Sequence, residues 1–257
     1  MAGFAKALVR GVRELGFDPR GPSRVAFIAR YVRDLRAWRR LGGRIDAHYP
    51  VLRDWGDQAG TASGAYFHQD LLVAKLIHAA NPRRHLDVGS RVDGFVAHVA
   101  VFREIEVLDI RPNDARVGNI RFVQADLMQD SPALAESTDS LSCLHALEHF
   151  GLGRYGDGID PGGHLRGFRS LVRMVEPGGT LYLSFPVGRP AVEFNAHRVF
   201  GCLDVLSWPE STQLELRRFD FVDDAGNLHE DVALDAISGA CEGLVMGCGI
   251  YTFVKRR

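Results

Sequence analysis

The chain has 257 residues, 46% of them hydrophobic and 25% charged, with a net charge of −1. That supply of apolar side chains fills one sizeable core with an appendage and excludes a disordered or fibrous chain. No apolar run reaches membrane-spanning length, and the opening residues, with Lys6, Arg10 and Arg13 among apolar neighbours, lack the pattern of a cleaved signal; a cytoplasmic setting is the expectation. The four cysteines, Cys143, Cys202, Cys241 and Cys248, form no C-x-x-C pair, so neither a zinc site nor a disulfide framework is expected. Charge is uneven, +6 over residues 1–60 and −7 over the rest. A solvated helix face is the plain reading of the basic front, and a homodimer through the N-terminal helices is the sharper one.

The first predicted element is helical, with Ile28, Tyr31, Val32, Leu35 and Trp38 at helical spacing and Gly42-Gly43 as the stop. A Gly/Asp/Ala-rich loop follows from Asp54 to Ala65, then a helix from His68 to Ala80 that ends at Asn81-Pro82. An alternation then begins. Strands are expected at His85–Val88, Ile105–Leu108, Ile120–Val123, Leu141–Leu144 and Thr180–Phe185, with helices at Val92–Val101 and Leu165–Val175. Pro177-Gly178-Gly179 closes the second of these helices. In the tail, residues 195–207 read as helical, and Leu214–Val222 and Cys248–Val254 read as strands around a turn at Asp223–Asn227. The expected fold is α/β: a Rossmann-like, doubly wound, mostly parallel seven-stranded sheet over residues 65–257, with an antiparallel terminal strand. A helical extension over 1–64 precedes it.

In such a sheet, ligands bind beyond the carboxyl ends of the strands. Asp87, Asp109, Asp126 and His145 fall at those ends. The first turn reads Asp87-Val88-Gly89-Ser90-Arg91-Val92-Asp93-Gly94, and Asp109 follows Asp87 by 22 positions, the distance at which a carboxylate reaches ribose hydroxyls. A dinucleotide needs a second glycine where Arg91 stands, and its pyrophosphate would meet Asp87. S-adenosylmethionine (SAM), with a sulfonium and an ammonium and no phosphate, suits a carboxylate beside the turn. An NAD(P)-dependent oxidoreductase is the alternative enzyme, and a non-catalytic assembly module the alternative to both.

The segments His85-Leu86-Asp87-Val88-Gly89-Ser90, Val107-Leu108-Asp109, Ala125-Asp126-Leu127, Leu144-His145-Ala146-Leu147-Glu148-His149 and Glu176-Pro177-Gly178-Gly179 resemble, in this order, those of class I SAM-dependent methyltransferases. The resemblance spans residues 65–187. It implies that Asp87, Gly89 and Ser90 line the methionine end of SAM, that Asp109 with Ile110 holds the ribose, and that Asp126 and Leu127 flank the adenine. It implies that Tyr66 and His68 cover the cofactor and that His145 touches its edge. Arg91 and Asp93 stand where many members carry glycine.

Methyl transfer to a hydroxyl needs a base, and a histidine suits that role near neutral pH. His145 is the first candidate and His149 the second. The glycine-rich stretch from Phe150 to His164 sits where specificity loops lie and offers Tyr155 as a further catalytic candidate. Glu148, Asp157 and Asp160 are oxygen donors for a Mg²⁺ ion that would orient the hydroxyl. Glu193-Phe194-Asn195-Ala196-His197-Arg198 is placed to meet the acceptor. The loop and this last segment resemble, more loosely, methyltransferase-like proteins found with bacterial polysaccharide enzymes. That resemblance implies a saccharide or another small hydroxylated molecule as acceptor. A near-neutral chain without an aromatic-basic stripe gives no reason to expect a nucleic acid.

Overall fold

The computed structural model describes residues 21–52, 55, 59–60, 62–235 and 241–257. Lys6, Arg10 and Arg13 lie outside them. Coordinates divide into two units, Met1–Thr61 and Ala62–Arg257, each taken by itself. In the first, helix α1 spans Gly21–Arg40 and ends on Arg39 and Arg40, basic residues that complement the negative helix terminus. Gly42 then takes φ +81°, and the Gly43 amide donates to the Trp38 carbonyl at 3.0 Å, which stops the helix where the glycine pair predicts.

The second unit opens with α2 (Ala65–Ala80) and strand β1 (His85–Val88). A π-turn over Val92–Val96 leads into the short helix α3 (Ala97–Ala100), then β2 (Ile105–Asp109), β3 (Ile120–Gln124) and β4 (Thr138–Leu144). Next come α4 (Gly163–Met174), β5 (Val175–Gly188), β6 (Ala191–Glu193) and β7 (His197–Val199). The tail forms β8 (Leu214–Val222), β9 (Leu228–His229) and β10 (Met246–Lys255). The main sheet runs β3-β2-β1-β4-β5-β10-β8-β9. Its first five strands are parallel and β10, β8 and β9 antiparallel. It has eight strands rather than seven because the two-residue β9 folds back onto β8.

Both faces of the central parallel strands are covered, so apolar residues such as Leu86, Val88, Val107, Leu108, Leu141 and Leu183 are buried in runs rather than in strict alternation, with the polar His85, Asp87, Ser140 and Ser142 buried among them. Leu72, Val73 and Ile77 of α2, with Phe95 and Val99, pack on Ile105, Val107, Tyr182 and Ile250. On the other face Phe168, Leu171 and Val172 of α4 pack on Leu141, Cys143, Leu181 and Leu183.

Three expectations are corrected. The helix expected at Val92–Val101 starts as a π-turn kinked at Gly94 (φ −127°, ψ −106°), because the backbone there crosses Asp70; a Cβ on Gly94 would lie 2.5 Å from the Asp70 Oδ2. Residues 195–207 are not an α-helix. They hold β7 and a 3₁₀ turn at Asp204–Ser207, whose start is fixed by the Gly201 amide donating to the Asp204 Oδ2 at 2.7 Å. Their buried side chains, Val199, Phe200, Cys202, Val205 and Trp208, mimic helical spacing while packing an irregular segment. Finally, Cys202 and Cys241 form a disulfide across 39 positions, against the expectation of none.

Candidate functional site

The strand order reverses between β1 and β4, and the carboxyl ends of those strands open a crevice. Two tight turns shape it. After β1, Gly89 takes φ +68° and donates its amide to the Leu108 carbonyl at 2.9 Å; a Cβ there would stand 3.0 Å from the Ala146 Cβ. After β4, His145 takes φ +52°, a left-handed backbone rarely adopted outside glycine, and donates its amide to the Ser184 carbonyl at 3.0 Å. The 3₁₀ turn Leu147–His149 follows directly, so His145, Glu148 and His149 cluster.

The crevice has two lobes. The larger, about 730 Å³, is lined by Tyr66, Ser90, Arg91, Asp109, Arg111, His145, Glu148, His149, Arg154, Tyr155 and His197. The smaller is a slot of about 60 Å³ between Val88, Leu108, Ile110, Leu127, Met128, Ala146 and Phe150, edged by Asp109, Asp126 and Asp157. Gly89, Asp109, Arg111, His145, His149 and Tyr155 belong to both.

Twelve expected residues are thereby brought together: Tyr66, Gly89, Ser90, Asp109, Ile110, Asp126, Leu127, His145, Glu148, His149, Tyr155 and Asp157. His68 is not among them; its ring packs edge-on against Phe67 on α2, 5.4 Å between centroids. Asp87 does not line the crevice either. It is fully buried, and its carboxylate accepts from the Ser90 amide at 3.0 Å, the Ser90 hydroxyl at 2.7 Å and the Ser142 hydroxyl. Burial raises its pKa to about 6, partly offset by the Ser142 and Ser90 bonds. Asp87 therefore fixes the first turn from beneath instead of presenting charge to a ligand. The opposite neighbour is polar too: His85 Nδ1 meets the Ser140 hydroxyl at 2.8 Å, extending a buried polar seam under α2.

The three carboxylates expected to bind Mg²⁺ do not converge. Glu148 Oε1 pairs with His145 Nδ1 at 2.9 Å. Asp157 accepts the amides of Gly151, Gly153 and Tyr155. Asp160 lies outside the crevice and pairs with Arg166 at 2.9 Å. Among the described residues no group of three His, Cys, Asp or Glu side chains is arranged for a metal.

The two histidines differ in charge state. Burial alone would pull the His145 imidazole down, but the Cys248 sulfur and the Glu148 carboxylate outweigh it, and its pKa stands well above the usual histidine value. Burial lowers His149, and the Arg154 and His145 charges lower it further against the opposing pull of Glu148. His149 Nδ1 donates to the Ala196 carbonyl at 2.6 Å, which leaves Nε2 with its lone pair. In the His145–Glu148 pair, His145 Nε2 and Glu148 Oε2 find no hydrogen-bond partner among the described residues. Such buried atoms call for a ligand group.

Arg111 and Gln69 escaped sequence reasoning, and Arg198, expected with its segment to meet the acceptor, binds backbone carbonyls instead. Arg111 grips both oxygens of Asp109, Nε at 2.9 Å and Nη2 at 2.7 Å. Arg198, 4% exposed, donates to the carbonyls of Phe150 (2.7 Å), Glu148 (3.2 Å), Pro161 (3.2 Å) and Asp160 (3.4 Å), so it pins both ends of the loop carrying Arg154 and Tyr155. Gln69 accepts from the Ser184 hydroxyl inside the core. A buried arginine has no local signal in sequence; only its tertiary carbonyl partners reveal it.

Comparison with known proteins gives the following. A family model described as "Caenorhabditis protein of unknown function, DUF268" matches residues 96–207, less than half of the chain. No curated protein matches the sequence. Among solved structures, the N-methyltransferase NodS from Bradyrhizobium japonicum WM9, in complex with S-adenosyl-L-homocysteine, aligns at a TM-score of 0.52 and 16% identity, over 76% of this chain and 89% of that one. The YcgJ protein from Bacillus subtilis aligns at 0.50 and 14% identity, over 74% and 99%. A Galdieria sulphuraria protein named as a sarcosine dimethylglycine methyltransferase aligns at 0.51 and 16% identity, over 74% and 85%. At these identities the likeness is one of fold: residues 62–257 adopt the Rossmann-like fold of class I methyltransferases.

Proposed function

We propose that the chain is a SAM-dependent methyltransferase acting on a hydroxyl of a small molecule, a saccharide in the first instance. Its methyltransferase domain is residues 65–257, behind an extension over 1–64 that also serves self-association. The observation that carries the reading is the two-lobed crevice at the reversal of strand order, with an apolar slot at one end and an unpartnered carboxylate oxygen, Glu148 Oε2, at the other. The slot fits a flat apolar ring system, Asp109 a vicinal diol, and the Gly89–Ser90 turn a chain passing close to backbone. That pattern suits SAM.

SAM, when bound, supplies an electrophilic methyl group on a sulfonium. The protein's own part is to hold, orient and deprotonate. Leu108, Ile110, Leu127 and Met128 clasp the adenine; Asp109 takes the ribose once Arg111 yields an oxygen. Ser90, held by Asp87, orders the methionine end, and Tyr66 covers it. Glu148, held by His145 through Oε1, offers its other oxygen to a positively charged group nearby. His149 is the base: its Nδ1–H is committed to Ala196, so Nε2 is ready to accept the hydroxyl proton. This geometry favours His149 over His145, whose Nδ1 is engaged by Glu148. Glu148, Asp157 and Asp160 hold no Mg²⁺ in this reading, because the three carboxylates do not converge on one point.

The test is calorimetric titration of the full chain with S-adenosylhomocysteine and, separately, NADH. Saturable binding of the former, lost in Asp109→Ala, is expected. Labelled SAM offered with a panel of saccharides should give transfer that His149→Gln removes while still binding S-adenosylhomocysteine. Saturable NADH binding without S-adenosylhomocysteine binding would overturn the reading in favour of an oxidoreductase.

A further inference from the structure

Two guanidiniums converge on one phenol in the larger lobe. The Cζ of Arg111 lies 4.4 Å and that of Arg154 5.1 Å from the Tyr155 ring centroid. Arg111 spends its charge on both oxygens of Asp109. Arg154 instead directs Nη1 to the Ala196 carbonyl at 2.9 Å, a neutral acceptor. The two carboxylates that line this lobe, Asp109 and Glu148, already face Arg111 and His145. A third guanidinium, Arg91, lines the same lobe beside the Gly89–Ser90 turn, and its partner Asp93 is exposed and outside the lining. Cations sharing one concave wall raise the local concentration of anions, and a guanidinium fork matches carboxylate and phosphate oxygens.

Position separates the roles of these cations. Arg91 is on the turn that follows β1, where the cofactor's own carboxylate would lie. Arg154 is on the loop after β4, with Nη1 3.4 Å from His149 Nδ1. The Tyr155 ring stands edge-on to His149, 5.5 Å between centroids. We infer that the acceptor is an anion, its carboxylate or phosphate held by Arg154 so that a neighbouring hydroxyl reaches His149; the hydroxyl's fate rests on the methyl-transfer reading, the binding of the anion does not. Arg154 is in this sense a specificity residue.

The experiment titrates the full chain with glucose, glucuronate and glucose 6-phosphate, each with and without saturating S-adenosylhomocysteine. With it present, at least one of the two anions should bind about tenfold or more tightly than glucose. The two anions distinguish a carboxylate from a phosphate acceptor. About 0.5 M NaCl should remove most of the preference. Arg154→Gln should abolish it and Arg154→Lys keep part of it, with thermal melts recording that both variants fold. Glucose binding as well as both anions would overturn the inference, as would a preference that survives in folded Arg154→Gln. A preference that disappears when S-adenosylhomocysteine is bound would also overturn it, since Arg154 would then serve the cofactor. If S-adenosylhomocysteine does not bind at all, the methyl-transfer reading fails, and the titrations without it still decide whether Arg154 selects an anion.

Discussion

Replacing Asp87 by Asn tests the buried seam that supports the first turn. The native carboxyl titrates at about 6 instead of 3.8. Between those values the folded chain holds a proton that the unfolded chain has released, so this group makes the protein more stable as pH falls through 6. Taking the two pKa values at face value, stability gained between pH 8 and pH 5 is about 1.4 kcal/mol from this group alone. Asn keeps the shape, and the Ser90 and Ser142 hydroxyls can rotate to meet an amide. Urea unfolding of wild type and Asp87→Asn at both pH values isolates the effect, because every other titration is common to the two. The wild type should gain about 1.4 kcal/mol more than the variant on acidification. Equal pH dependence in the two proteins would refute the claim that Asp87 is a buried acid of raised pKa.

Three further outcomes are expected. Gly89→Ala places a side chain on a residue with φ +68° and brings its Cβ to 3.0 Å from Ala146, so it should lower unfolding free energy by about 1–2 kcal/mol and weaken S-adenosylhomocysteine binding in calorimetry. Arg198→Met keeps the apolar stem but strips donors from four carbonyls; a loss of about 3 kcal/mol in urea unfolding is expected, with faster amide exchange across residues 150–163. Cys202→Ser opens a 39-residue loop, and the chain-entropy estimate gives a loss of about 4 kcal/mol. Dithiothreitol should reproduce that loss in the wild type and leave the Cys202→Ser variant unaffected.

The parallel strands were legible because each is a short apolar run that ends in a polar residue facing the crevice, as with Asp109 before Ile110 and the Ala125-Asp126 step after β3. Gly89 was legible for the same reason, since only a tight turn explains it after β1. What a strand of four residues does not announce is which face each side chain takes. Asp87 looks cavity-facing in sequence, yet its partner Ser142 comes from β4, 55 positions away, and draws its face inward. The pairing of Cys202 with Cys241 and the grip of Arg198 on the loop share that difficulty: both are tertiary contacts between segments with no periodic relation. Glu148, Asp157 and Asp160 look like a metal set by chemistry alone, but loop amides, His145 and Arg166 claim them one by one. The 195–207 segment misleads because three of its buried positions, Val199, Cys202 and Val205, fall three apart without a helix to set them there.

Where the loop after β4 leaves and rejoins the body, Gly151 and Gly163 touch backbone to backbone; a Cβ on Gly151 would come within 2.0 Å of the Asp160 carbonyl oxygen, and one on Gly163 within 2.8 Å of the Gly151 amide nitrogen. The crossing works like a drawstring tied at the neck. Asp157 and the buried Leu152 tie the enclosed stretch to that knot, while exposed side chains such as those of Arg154 and Ile159 can be exchanged as the knot holds. Under the methyl-transfer reading, selectivity can therefore drift from one acceptor to another without disturbing the parallel strands.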